Sequence, residues 1–379
     1  MGGELPDQGG CTMDWTCRAI VVIILGGSIC VTGCSDRRST GPVAQDYRLY
    51  VSTHSDNNRV FVFDVSNDSL IDSTEAADFS TLTARATMDG RYLIAWTNRG
   101  CPKVLGAAGL AAFQELAPCP SVPVLATDDS LVLTVTRHSV TSFSYPEFRE
   151  LHTDSIDLED SPTLSSPFID DARGHVYLVL SYGTGHLEGQ QLLAWDYRNR
   201  RVQGQWDISA GLPGTRLRID SYTMLPGETR LYGVGDTDVG SFVFCYDLVD
   251  RTVVWERPIV TGLGFLRLDP AGKELWRTDR GYVLWPLITG FIYIHDLESG
   301  NVVDSISLFG YLSEERPLSA REIVFTPDGQ KAYVAASHTS YSPGPVIVIN
   351  TRTRTVAKLV LDDYEHYPYH VDIGPAGWP

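Results

Sequence analysis

Between residues 320 and 361 apolar and polar positions alternate in four short runs, Arg321–Thr326, Lys331–Ala336, Val346–Asn350 and Thr355–Leu361. Period-two alternation puts one face of a segment on a core and the other in solvent, so each run is predicted to be a strand. A Pro-Asp-Gly turn at 327–329 joins the first two runs, and a polar Thr-Arg-Thr-Arg turn at 351–354 joins the last two. Four consecutive runs joined by such turns predict one antiparallel four-stranded sheet.

The unit recurs along the chain. First-turn markers fall at Asp89-Gly90, Asp128-Asp129, Asp171–Gly174, Pro226-Gly227, Pro270–Gly272, Pro327–Gly329 and Pro375–Gly377, which predicts seven hairpins between a first and a second strand. Third runs end in Asp64, Asp196, Asp247, Asp296 and Asn350. A short acceptor at that place can bond amides two residues on and close a turn, so these five are read as structural. Repeated four-stranded units over one chain define a β-propeller. The ends complete it: Tyr47–His54 starts at a second-strand position with no first strand before it, while His370–Gly374 is a first strand with nothing after it. Pairing the two closes a ring without exposed edges. The predicted fold is all-β, a seven-bladed propeller of four-stranded antiparallel blades over residues 47–379, closed by its C-terminal strand.

The segment "REIVFTPDGQKAYVAAS…GPVIVINTRTRTVAKLVL" resembles the YVTN-type propeller repeat of bacterial surface and secreted proteins, within the YncE-like and lactonase-like propeller superfamily. The resemblance is strong over 320–361, fair over 241–308 and weak over 82–160. Trp195-Asp196 matches the WD dipeptide, but its Gly-His partner is missing, so a WD40 protein is not expected.

Composition fits this reading. The 34 glycines and 21 prolines are spread along the chain, as many short strands joined by turns require. The net charge of −17 repels phosphate backbones, and no Lys/Arg cluster relieves it, so nucleic acid is not an expected partner.

The N-terminus carries a second signal. Arg18 precedes an apolar run of about a dozen residues, too short for a comfortable bilayer span, followed by Val31-Thr32-Gly33-Cys34. This resembles the bacterial lipobox, which implies a signal peptide over 1–33 and a lipid on Cys34. Met13 would give a signal of ordinary length and is the alternative start. The polar stretch 34–46 reads as a flexible tether. The expected location is the bacterial cell envelope. Ser35 after the cysteine favours the outer membrane. Of the seven cysteines, Cys101 and Cys119 share one Pro/Gly-rich stretch and are expected to form a disulfide, while Cys245 is expected to be a buried free thiol.

Signatures of common enzymes are missing: there is no G-x-S-x-G, H-E-x-x-H, Walker loop or C-x-x-C. Aligning the first strands by their turns puts Asp220, Glu322 and His370 at one rank, and Arg85, Tyr222, Arg267 and Asp372 two residues on. Apolar residues alternate with them, so this polar set is expected to face the central channel at its mouth. A solvated channel wall, a small-ligand site and a metal site all fit such a set. Six histidines (His54, His138, His186, His338, His366 and His370) are expected on loops of one face. No cofactor is predicted; a channel-bound metal ion is the alternative. The expected role is a non-catalytic binding module for an envelope protein, a glycan or a small ligand, docking on that face. The alternative is a propeller enzyme of lactonase-like hydrolase or dehydrogenase type.

Overall fold

A computed structural model describes residues 46–54, 59–75, 83–96, 100–119, 121–125, 131–136, 138–156, 163–164, 167–170, 172–182, 188–214, 217–225, 227–259, 264–279, 290–311, 318–337, 343–361 and 365–376. Of the unit 1–45 it describes only Ile23–Ile24 and Gly27–Ser28, which pair antiparallel, so Cys34, the signal segment and the tether lie outside the described residues.

The unit 46–379 is a seven-bladed propeller with no helix among the described residues. Blade 1 is built from both ends of the chain, in the order Pro368–Pro375, Tyr47–Thr53, Arg59–Asp64, Ser69–Glu75. Blades 2 to 7 then follow in sequence, with inner strands Thr83–Ala86, Val122–Leu125, Phe168–Asp170, Arg218–Met224, Leu266–Leu268 and Ser319–Phe325. In blade 4 the inner position is divided, because Thr163–Leu164 pairs further along the same second strand.

Each strand presents alternate residues to its two neighbours, and the core is divided accordingly into seven apolar clusters, one per inter-blade joint. The joint between blades 7 and 1 is as apolar as the rest: Leu49, Val51, Phe61, Phe63 and Val371 pack on Val324, Tyr333, Ala335 and Val348. Burying a side chain of this size contributes about 1.5–3 kcal/mol. Blade 1 itself is closed by backbone pairing from Tyr47 opposite Pro375 to Thr53 opposite Pro368.

The turns behave as their chemistry dictates. Asp64 accepts from the Ser66 amide at 2.7 Å, Asp247 from Val249 at 2.8 Å, Asp296 from Ser299 at 2.8 Å and Asn350 from Thr353 at 3.0 Å. Four residues beyond each of these, and beyond Asp196, which accepts from the Asn199 amide at 2.9 Å, the backbone turns left-handed, at Asp68, Arg200, Arg251, Gly300 and Arg354. Only one of these is glycine, although αL costs other residues roughly 1–2 kcal/mol. All four of the others use the position for a cross-blade contact: Asp68 with Lys331 at 2.9 Å, Arg200 with Asp154, Arg251 over the Trp206 ring at 4.7 Å and Arg354 with Glu274. The first turns share another network. Thr87 Oγ1 donates to Asp89 at 2.8 Å and Thr326 Oγ1 to Asp328 at 2.6 Å, with Gly90 and Gly329 left-handed behind them. The weakly matching blade 2 and the strongly matching blade 7 therefore make the same turn.

Cys101 and Cys119 are joined as a disulfide across eighteen positions, and Cys245 is buried with its thiol pushed up to about 12 by burial. Non-reducing peptide mapping should recover Cys101 and Cys119 in one linked fragment, and reduction should lower stability by about 3 kcal/mol through loop closure. Alkylation of both thiols in native, oxidised protein would contradict the pairing.

Deleting residues 365–379 removes the inner strand of blade 1 and exposes the edge of Tyr47–Thr53. The truncated domain should lose its cooperative thermal transition or oligomerise. A monomer melting at the parent temperature would overturn ring closure as a stabilising element.

Candidate functional site

Inner strands have one edge paired to their own blade and one edge turned to the channel, where amides lack a ladder partner. Side chains of the preceding blade fill that need at three joints. Asp372 Oδ2 accepts from Ala86 N–H at 2.9 Å, Ser221 Oγ from Leu266 N–H at 3.1 Å, and Gln190 Oε1 from Ile219 N–H. Asp372 therefore has a structural task, whatever else it does.

Bulges interrupt three of the inner strands. The ladder shifts by one residue between Ile219 and Ser221 in blade 5, between Ala320 and Ile323 in blade 7, and beside His370 in blade 1. A bulge adds an unpaired residue and re-aims its side chain. Glu322 lies within the blade 7 bulge, and its carboxylate meets His370 Nδ1 across the joint to blade 1. Asp220 is the extra residue of the blade 5 bulge.

Five of the seven residues predicted at the channel form one electrostatic group. The charges acting on Glu322 are His370, Arg85 and Arg267, and the same three act on Asp372. Burial works against the Glu322 charge, yet His370 and the two arginines together hold its carboxyl below the usual range. For Asp372 burial wins and raises the carboxyl despite Arg85 and His370. Burial lowers Arg267, and the neighbouring Arg85 cation lowers it further. Arg85, Arg267, Glu322 and Asp372 keep partial solvent access, whereas His370 is only 6% exposed.

Tyr222 is placed elsewhere. Beyond the bulge its ring sits 5.0 Å from that of Phe168, in the packing between blades 4 and 5. Counted from the turn, Thr223 pairs with Tyr232 as Arg267 pairs with Trp276, so Tyr222 takes the register of the core residue Leu266 and not that of Arg267.

Several participants carry no sequence signal of their own. Trp96 lies 6.5 Å from the His370 ring, and Ser52 stands opposite His370 in the ladder. Among the described residues, Ser52 Oγ, Ser337 Oγ and His370 Nε2 are buried without a hydrogen-bond partner. Arg321 is buried with its guanidinium over the rings of Tyr367 at 4.8 Å and Tyr369 at 4.6 Å, tying the segment before the last strand to blade 7. Only topology brings these residues together, because Tyr367 is forty-six positions from Arg321.

Among the described residues the histidines do not gather as a ligand set. His54 packs against Tyr367 and Tyr369, His366 against Phe61, and His138 is exposed, while His186 and His338 lie outside the described residues. Among the described residues no group of three His, Cys, Asp or Glu side chains could hold a metal ion.

No protein-family model and no curated protein matches the chain. Solved structures share its architecture. Dihydro-heme d1 dehydrogenase NirN, in complex with DHE, is 12% identical with a TM-score of 0.57, covering 87% of this chain and 75% of that one. Hydrazine synthase of Kuenenia stuttgartiensis is 14% identical with a TM-score of 0.53, covering 71% and 76%. The Cps50 (Swd1) β-propeller domain of Myceliophteria thermophila is 10% identical with a TM-score of 0.57, covering 77% and 89%. At such identities the likeness concerns the fold, a β-propeller, and nothing further.

The two part-buried carboxylates should respond oppositely to change. The raised Asp372 carboxyl means that its ionisation opposes folding progressively as pH rises from the unfolded carboxylate value through the raised folded one. At neutral pH Asp372→Asn, which keeps an acceptor for Ala86 N–H, should match or exceed wild-type stability in urea. Asp372→Ala strands that N–H and should cost about 1–3 kcal/mol. The Glu322 contribution has the opposite sign, being present above the unfolded carboxylate value and lost as pH falls through its lowered folded value. Equal destabilisation by both Asp372 variants would contradict the assignment.

Proposed function

We propose that this protein is an envelope lipoprotein whose propeller is a non-catalytic binding module, with its site at the channel mouth around Arg85, Arg267, Glu322, His370 and Asp372. The observation that carries this reading is the channel group itself: five ionisable side chains from blades 1, 2, 6 and 7 act on one another at a partly accessible wall. Opposite charges mixed in this way suit recognition of a polar ligand. The lipobox-like Val31–Cys34 supports anchoring, Ser35 supports the outer membrane, and the YVTN-like repeat supports a surface or secreted setting.

A second reading has one observation in its favour. Glu322 holds His370 by Nδ1 and leaves Nε2 without a partner, as in an oriented general base. That arrangement would suit a hydrolase or a dehydrogenase. NirN and hydrazine synthase are named as enzymes and Cps50 (Swd1) as a propeller domain, so fold likeness does not choose between the readings.

Equilibrium dialysis of the purified domain against a cell extract, read by mass spectrometry, separates them. Wild type should enrich a ligand and return it chemically unchanged, while Arg267→Glu and Glu322→Lys should enrich it at least about tenfold less at equal stability. Recovery of a converted product would establish the enzyme reading, and no enrichment would sink both. Separately, Cys34→Ala should release the protein from the membrane fraction or block its processing. Unlabelled, soluble wild type after feeding a lipid precursor would refute the anchor.

A further inference from the structure

We propose that the notch between the turns of blades 5 and 6 is a second binding site, which takes the carboxylate of a small ligand on Arg230 and Tyr232. It lies in a different joint from the Glu322–His370 pair and does not depend on the channel-mouth reading.

The ring supplies its own comparison. The turn between the third and fourth strands of each blade carries one left-handed residue, and in six blades this residue has a side chain that lies against the preceding blade. Asp68, Arg200, Arg251 and Arg354 make the contacts given above. Leu110 of blade 2 is buried with Tyr50, Val60 and Val62 of blade 1, and Phe148 of blade 3 stands edge-on to the Tyr92 ring of blade 2 at 5.1 Å. Blade 6 has Gly300 at this place, with no side chain to offer. The Trp255 indole of blade 5 fills the space that a Cβ on Gly300 would take, and its Nε1 donates to the Leu297 carbonyl at 2.9 Å. In this joint a cavity of about 710 Å³ opens beside the same turn, with Arg230, Tyr232, Leu297 and Glu298 in its lining.

The matching notch between blades 7 and 1 shows what such a place holds. Lys331 and Arg230 each stand opposite the turn acceptor of their own blade, Asn350 and Asp247, with Tyr333 and Tyr232 two residues on. Between blades 7 and 1 the Asp68 carboxylate serves both groups: Lys331 Nζ donates to it at 2.9 Å and Tyr333 Oη at 2.5 Å. Between blades 5 and 6 the cation and the phenol recur, but Gly300 brings no carboxylate to them. Among the described residues Tyr232 Oη has no acceptor for its proton. Arg230 is held instead by Glu298, both of whose carboxylate oxygens lie 3.2 Å from Nη1. The Glu298 side chain is 80% exposed, so this pair contributes little and is readily displaced.

The chemistry of the ligand follows from that comparison. An entering carboxylate exchanges one anion for another on Arg230 and gains the Tyr232 hydroxyl as a second donor. Lys273 in the lining adds a further cation, while Glu228 and Asp296 weigh against a dianion such as phosphate. The volume falls within the range of small-ligand pockets, roughly 300–1,000 Å³, and exceeds what a carboxylate alone would fill. The ligand is therefore a small organic acid that carries further groups.

Isothermal titration calorimetry on the whole protein tests this with N-acetyl-aspartate N-methylamide, whose side chain reproduces that of Asp68. The uncharged asparagine analogue and sodium phosphate serve as comparisons at matched ionic strength. The aspartate compound should bind wild type about tenfold more tightly than either. Arg230→Gln and Tyr232→Phe should each weaken it about fivefold or more at an unchanged melting temperature. Glu298→Gln should tighten it about threefold, because it frees Arg230, a gain that a purely structural Arg230–Glu298 pair would not produce. Equal binding of the asparagine analogue, or tighter binding of phosphate, would overturn the carboxylate assignment. No binding to wild type and Glu298→Gln alike, or binding unmoved by Arg230→Gln and Tyr232→Phe, would overturn the site. The channel-mouth reading would survive either result, since the two sites share no residue.

Discussion

Everything in this molecule depends on one pairing, that of the last strand with the first. Pro368–Pro375 supplies the inner strand of a blade whose other three strands begin the domain. Without it Tyr47–Thr53 would be an exposed edge, and the apolar side chains of blades 1 and 7 would have no closed joint to fill. The pairing is reinforced at three levels: an apolar cluster in the middle, Lys331 bound to Asp68 and to the Val65 carbonyl on the turn side, and Arg321 between Tyr367 and Tyr369 on the other. The ion pair is partly exposed and contributes little by itself.

The same strand builds the candidate site. His370 and Asp372 belong to it, and each reaches across a different joint, His370 to Glu322 of blade 7 and Asp372 to the Ala86 amide of blade 2. Ring closure and the candidate site therefore fall on the same eight residues. A buried carboxylate that caps a backbone amide can also set the local potential, and a histidine that locks a bulge can leave its second nitrogen available.

Much of the fold could be read from local chemistry. Asp64, Asp247, Asp296 and Asn350 announce their turns because the acceptor and its amides lie within three residues of each other. Ring closure was legible because the two ends of the chain are each an incomplete blade. The divided inner strand of blade 4 was not, since Thr163–Leu164 and Phe168–Asp170 are too short to show a period. The site was legible in composition but not in geometry. Period-two alignment grouped Arg85, Arg267, Glu322, His370 and Asp372, whose charges act on one another, but it also enrolled Tyr222, which lies one residue out of register with Arg267 when counted from the turn. Trp96, Ser52 and the Arg321 clamp emerged only from the closed ring, since their partners are distant in sequence.

Native-state hydrogen exchange tests the central claim, that the terminal strand is an integral part of one cooperative ring. Amides of Leu49, Val51 and Val371 should exchange only through global opening, at the same limiting free energy as those of Val346 and Val348 in blade 7. If Tyr47–Thr53 and Pro368–Pro375 instead exchange early, as a unit, while blade 7 remains protected, the seam is a loosely docked addition and the account is wrong.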